Sequence, residues 1–249
     1  CSEIREALNM HSPRGAPACD CVLIKAGSCP RAERAYGDDE QVTLEALQME
    51  IQEPNEILLF DVPGSVLRGG IRERWFIAPN PGWFQYCDEV EVDADGFITR
   101  IGGAPLDPQR TYHVGSCSDF MRASDGPILG SYFKQTPAAV PDKDSGMPPW
   151  TLLMQYWASR VWKAIFRSID KDGDQHITAE ELRALDKDGD NGIDRQELQA
   201  ALARQGFETY EGEFTFVDAI LAAAGDDDKD GILTLDEINR SQHSLLAGR

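Results

Sequence analysis

Residues 226–237 read Asp226-Asp227-Asp228-Lys229-Asp230-Gly231-Ile232-Leu233-Thr234-Leu235-Asp236-Glu237, with carboxylates at positions 1, 3, 5 and 12 of a twelve-residue span. Alternating acids closed by a Glu that can offer both oxygens are the donor set a hard cation such as Ca²⁺ takes in a single loop. Gly231 at position 6 permits the positive φ that the sharp turn of such a loop requires. Leu233 at position 8 presents backbone groups to a neighbouring loop, and Thr234 at position 9 can hold a bridging water. Two upstream segments repeat the pattern. The first runs Asp170, Asp172, Asp174, Gln175, Ile177, Glu181, and the second Asp186, Asp188, Asp190, Asn191, Ile193, Glu197. Gln175 and Asn191 stand where Gly is expected. Gln tolerates positive φ poorly, so a strain of about 1 kcal/mol is expected there, and less for Asn.

Three repeats with Ile or Leu at position 8 and Glu at position 12 are not what solvated acidic turns produce by chance. Asp93-Ala94-Asp95-Gly96 is the contrast: Ala104 stands where the last Glu belongs, so this segment is expected to be a hairpin turn. Spacing sets the pairing. Asp186 and Asp226 start forty residues apart, leaving room for an exit helix, a linker and an entry helix, whereas Asp170 and Asp186 are sixteen apart. The stretch 178–185 must then serve both of the first two loops. The second and third loops are expected to pair back to back, with the first as an appended single site.

The 249 residues carry 24 Lys and Arg against 43 Asp and Glu, a formal charge of −19, of which −11 falls within residues 165–249. A chain this acidic repels phosphate backbones, so nucleic acid is excluded as a partner of any basic face. Hydrophobic residues at 41% and charged residues at 27% are globular composition, not disorder. No apolar run reaches the eighteen or so residues of a membrane span. Six cysteines (Cys1, Cys19, Cys21, Cys29, Cys87, Cys117) lack zinc spacing with His partners, and disulfides or buried free thiols are both open. The chain begins at Cys1 without an initiator Met, as a processed product or a fragment of a longer protein does.

The first part mixes strand and helix signals. Cys21-Val22-Leu23-Ile24 suits a buried strand, Thr43 caps a helix carrying Leu44, Leu47 and Ile51, and residues 56–62 read as a strand. Pro63-Gly64-Ser65 leads into a helix with Val66, Leu67 and Ile71. A hairpin over Val90-Glu91-Val92 and Phe97-Ile98-Thr99, then a strand from Thr111 to Gly115, complete an α+β domain over residues 1–135. Residues 136–149 hold Pro137, Pro141, Pro148 and Pro149 and read as a linker. From Trp150 a helix with Leu153, Met154, Trp157, Val161 and Ile165 on one stripe opens an all-α module over 150–249, the stripe reading as core.

Residues 160–245 resemble the EF-hand family. The resemblance implies Ca²⁺ as ligand, held by Asp170, Asp172, Asp174, the His176 carbonyl and Glu181 in the first loop. It implies Asp186, Asp188, Asp190, the Gly192 carbonyl and Glu197 in the second, and Asp226, Asp228, Asp230, the Ile232 carbonyl and Glu237 in the third. Residues 2–135 resemble the C-terminal, substrate-binding domain of the 5′-nucleotidase family of metallophosphoesterases. The matching pieces, in order, include Cys19-Asp20-Cys21-Val22-Leu23-Ile24, Asp61-Val62-Pro63-Gly64-Ser65, Gly82-Trp83-Phe84-Gln85, Ile101-Gly102-Gly103-Ala104-Pro105-Leu106-Asp107 and Ser118-Asp119-Phe120. The family's domain closes over a separate two-metal catalytic domain and stacks the nucleotide base between two rings, which implies substrate-binding roles for Asn55 and Phe120. Glu53 replaces one of those rings, and Lys25-Ala26-Gly27-Ser28-Cys29-Pro30-Arg31 replaces the family's Asn-Gly-Gly-Ile-Arg loop, so nucleotide binding is expected to be weak or lost. Gly69-Gly70-Ile71-Arg72 falls in a helix and is not that loop. The four histidines (His11, His113, His176, His243) are dispersed and match no two-metal string, so any hydrolysis needs an N-terminal catalytic domain of the same protein. His113 and Cys117 share a face of one strand, but no third group orients them into a nucleophile pair. Two functions follow: the calcium-binding C-terminal portion of a nucleotidase-like hydrolase, or a non-enzymatic calcium-dependent scaffold on a degenerate nucleotidase domain. The family and the even number of thiols lean towards an extracytoplasmic location.

Overall fold

The computed structural model describes residues 1–12, 15–25, 43, 46, 48, 51, 56–75, 83–121, 126–204, 206–207 and 216–246. The chain divides into two compact units, Cys1–Leu153 and Met154–Arg249.

The first unit is built on a four-stranded sheet. Strand β1 (Cys21–Lys25) is buried at every position, as a strand flanked on both sides must be, and this explains its unbroken apolar run. It pairs in parallel with β7 (Thr111–Cys117) and antiparallel with β3 (Phe84–Tyr86). Strand β2 (Ile57–Pro63) lies at the edge, antiparallel to β7, so the order across the sheet is β2-β7-β1-β3. Along β2 burial alternates, with Leu59 and Asp61 facing water. Its chain turns at once into helix α2 (Gly64–Trp75), which follows α1 (Ser2–His11) in the sequence. Gly64 is required at this corner because a Cβ would sit 2.2 Å from the Asp107 carbonyl oxygen. Helix α3 (Pro127–Gln135) packs on α2 where Gly70 lets Leu129 approach; a Cβ there would lie 2.6 Å from Leu129 Cγ. Gly69-Gly70-Ile71-Arg72 is helical, as expected.

Four rings fill the centre. Phe120, from the 3-10 turn Ser118–Met121, lies 5.2 Å from Phe60, 5.6 Å from Phe84 and 5.9 Å from Phe133, in tilted and edge-on contacts. Lys25, 2% exposed, donates to the Asp119 carbonyl and lies 3.3 Å from its carboxylate, which pins the turn to the end of β1. A small sheet of β4 (Val90–Val92), β5 (Ile98–Ile101) and β6 (Ala104–Pro105) carries the expected hairpin. Asp93 Oδ1 accepts from Asp95 and Phe97 N–H, so this acidic cluster spends its carboxylate on its own turn. Thr43 Oγ1 accepts from Ala46 N–H as a cap does, while Leu44 and Leu47 lie outside the described residues. Residues 136–149 hold two short 3-10 turns, and Met147 exchanges hydrogen bonds of 2.8 and 3.0 Å with Ile57.

Helix α4 spans Pro149–Ile169. Along it Leu153, Met154 and Ile165 are buried while Trp150, Trp157 and Val161 are half-buried. The second unit continues with the short α5 (Ala179–Leu182), β8 (Gly192–Asp194), α6 (Arg195–Arg204), α7 (Phe216–Ala224), β9 (Ile232–Thr234) and α8 (Leu235–Leu246). Its core gathers Trp162, Ile177, Leu182, Ile193, Leu198, Leu202, Ile220, Leu233 and Ile238. Among the described residues no helix is long and apolar enough to cross a membrane.

Candidate metal centres

Each acidic loop follows a helix and turns its backbone inward on its own side chains. In the first, Asp170 Oδ1 accepts from Gly173 N–H at 2.8 Å and Oδ2 from Gln175 N–H at 3.2 Å. Asp186 does the same for Gly189 and Asn191 at 2.7 and 3.1 Å, and Asp226 accepts from Gly231 at 3.3 Å. The acids at positions 3 and 5 each accept from the N–H two residues on: Asp172 from Asp174, Asp174 from His176, Asp188 from Asp190, Asp190 from Gly192, Asp228 from Asp230, and Asp230 from Ile232.

The final Glu closes each loop. Glu181 accepts from Lys171 N–H at 2.8 Å with one oxygen, and from Thr178 N–H and hydroxyl at 2.9 and 2.8 Å with the other. Thr178 caps α5 and Glu181 completes a capping box, so the helix start and the loop end are one device. Glu197 bridges Lys187 and Asp194, and Glu237 bridges Asp227 and Thr234. Acids at positions 1, 3 and 12 thereby converge: an oxygen of each of Asp170, Asp172 and Glu181 lies within 4.8 Å of the others, as do those of Asp186, Asp188, Glu197 and of Asp226, Asp228, Glu237. An all-oxygen set of this kind fits Ca²⁺.

The backbone demands that the sequence raised are met. Gln175 and Asn191 stand at φ +67° and Gly231 at +83°. A second left-handed position, which the sequence reading missed, occurs at position 4: Gly173 at +74°, Gly189 at +81° and Lys229 at +61°. Each loop therefore has one Gly and one non-Gly residue in this conformation, with the order reversed in the third.

Thr178 N–H, Lys171 N–H and the Thr178 hydroxyl together hold the Glu181 carboxyl down at about 2. Burial raises Glu237, but the Thr234 hydroxyl and N–H outweigh it and the net shift is downward. Burial, with the charge of Asp230, raises Asp226.

Strands β8 and β9 join the second and third loops, with Ile193 opposite Leu233, as loop spacing predicts. Ile177, the equivalent residue of the first loop, meets Asn239 of α8 instead.

Outside the loops, Phe120 is 0% exposed among Phe60, Phe84 and Phe133, so in this structure it is a core ring and offers no face for a base to stack on. Asn55, Glu53 and residues 26–31 lie outside the described residues. Half-buried His113 places Nδ1 2.5 Å from Oδ1 of Asp61 on the edge strand β2, whereas Cys117 is buried opposite Ile57. Four steps along the strand separate the two by about 13 Å, too far for proton exchange. Cys1, Cys19, Cys21, Cys87 and Cys117 are free thiols, and Cys29 lies outside the described residues. Burial pushes Cys19 up to about 12 and raises Cys21 and Cys87.

The EF hand family model matches residues 163–185 and 182–203. No curated protein matches the chain. Among solved structures, a 5′-nucleotidase precursor of Thermus thermophilus is 14% identical with a TM-score of 0.43, over 62% of this chain and 31% of its own. The NAD nucleotidase of Haemophilus influenzae is 14% identical with a TM-score of 0.38, over 60% and 27%. The sulfate thiohydrolase SoxB of Thermus thermophilus is 18% identical with a TM-score of 0.40, over 62% and 28%. The chain thus spans less than a third of the length of each of these solved structures. Residues 163–203 carry EF-hand motifs, in a chain whose similar solved structures include 5′-nucleotidases.

Proposed function

We propose that this chain is the calcium-binding C-terminal portion of a 5′-nucleotidase-like metallophosphoesterase. Residues 1–135 act as a substrate-cap-type domain towards an N-terminal catalytic domain, 136–149 as the link, and 150–249 as the calcium module. One observation carries the calcium reading: in three successive loops the acids at positions 1, 3 and 12 converge within 4.8 Å on the same hydrogen-bond frame. Asp170, Asp172, Asp174, the His176 carbonyl and Glu181 would hold the first ion; Asp186, Asp188, Asp190, the Gly192 carbonyl and Glu197 the second; Asp226, Asp228, Asp230, the Ile232 carbonyl and Glu237 the third. Each loop brings three carboxylates together, and a divalent ion would relieve their mutual repulsion.

Calorimetry on the whole chain with Ca²⁺, and with Mg²⁺ as control, tests this. Two or three calcium sites are expected, and Glu237→Gln should abolish the tightest; unchanged binding in that variant would remove the third loop from the set.

The second reading, a calcium-dependent scaffold without enzymatic activity, is favoured by the burial of Phe120. An upstream segment with intact two-metal ligand motifs supports the hydrolase and its absence supports the scaffold. AMP titration should show little or no binding, and micromolar affinity would mean that nucleotide is still gripped despite Glu53.

A further inference from the structure

We propose that Asn239 is a positioning residue for the first loop, orienting the His176 carbonyl and tying that loop to the third. The proposal rests on the calcium reading above. Loops of this type normally satisfy position 8 by pairing with a partner loop, as Ile193 and Leu233 do across β8 and β9. The first loop is the odd member. Ile177, fully buried, donates its N–H to Asn239 Oδ1 at 2.7 Å, and its carbonyl accepts from Asn239 Nδ2 at 2.9 Å. One side-chain carboxamide offers an acceptor and a donor side by side, the two groups a neighbouring strand would supply.

The consequence lies in the peptide joining His176 and Ile177. A trans peptide is planar, so its C=O and N–H point to opposite sides. Holding the Ile177 N–H against Asn239 holds the His176 carbonyl on the other side of the same plane, and that carbonyl is the position-7 ligand of a twelve-residue loop. Asn239 also stands two residues beyond Glu237, near the start of α8. A cation gripped by Glu237 fixes that turn, and with it the side chain on which the first loop leans.

Calcium calorimetry on the whole chain tests this, with Glu181→Gln identifying the heat of the first loop. Asn239→Ala should weaken that site about 10–100-fold, the usual effect of losing a residue that orients a metal ligand. It should also speed exchange of the Ile177 amide in the calcium-loaded protein. An unchanged second-loop constant in the same titration reports that the variant is folded. Asn239→Asp keeps the acceptor for the Ile177 N–H but sets a second oxygen against the Ile177 carbonyl, and should recover only part of the loss seen in Asn239→Ala; a first site weaker in Asn239→Asp than in Asn239→Ala would mean that the N–H bond does not orient the loop. Glu237→Gln should weaken the first site when Asn239 is present and lose that effect in the Asn239→Ala background. A first site unchanged in Asn239→Ala would overturn the proposal while leaving the calcium reading intact. No calcium heat in the wild type would overturn both.

Discussion

Gln175, Asn191 and Lys229 hold a backbone conformation that L residues adopt at a cost, and the three loops distribute that cost differently. Asn relieves it with a short polar side chain, whereas Gln and Lys do not. Gln175→Gly should therefore stabilise the calcium-free protein by about 0.5–1 kcal/mol, and Asn191→Gly by less, in urea unfolding with chelator present. A loss of stability in Gln175→Gly would mean that its side chain contributes more than its strain. Glu181 belongs to the same scale. Its folded value of about 2 lies below its ordinary 4.5, because Thr178 and Lys171 donate to the ionised form. Its stabilisation is complete above about pH 4.5 and is lost as pH falls towards about 2. In chelator, wild type should lose more stability than Glu181→Gln across that window. Equal slopes would show that these bonds form equally well to the protonated acid.

Two-strand pairing is the element that matters in the second unit. β8 and β9 place Ile193 opposite Leu233, so the strand of the third loop is the one against which the second is held. Glu237→Gln should therefore also weaken the second site, by about 5-fold or more, the lower range of coupling between linked sites. A second-site constant unchanged in that variant would make the ladder a structural joint only. The α5 segment is a different kind of element: four residues long, it is too short to form alone, and the Thr178–Glu181 box holds it.

At the scale of the molecule, the first unit depends on its aromatic centre. Phe120→Ala should cost about 3–5 kcal/mol in urea unfolding, because the surrounding Phe60, Phe84 and Phe133 cannot collapse into the space left. A cost under about 1 kcal/mol would point to a ring held there for binding, not packing. The thiols of this unit report on the same core. With Cys19 pushed up to about 12 by burial, and Cys21 and Cys87 also raised, these groups should resist alkylation at about pH 8 until the protein unfolds. Rapid modification in the native state would place them at the surface.

The sequence alone marked the three loops, the acids at positions 1, 3 and 12 that converge in each, and the pairing of the second with the third, because twelve-residue acidic loops are local. Side chains a few positions apart must meet, and spacing says which loops have room to pair. It also marked β1, β2, β7 and the Asp93 hairpin, whose apolar runs and turn residues are likewise local. The burial of Phe120, the distance between His113 and Cys117, and the contact of Asn239 with Ile177 were decided only by the tertiary structure. Each joins segments whose approach depends on how many other elements pack, and no short-range pattern in the chain records that: Ile177 and Asn239 are 62 residues apart, and nothing near either one announces the other.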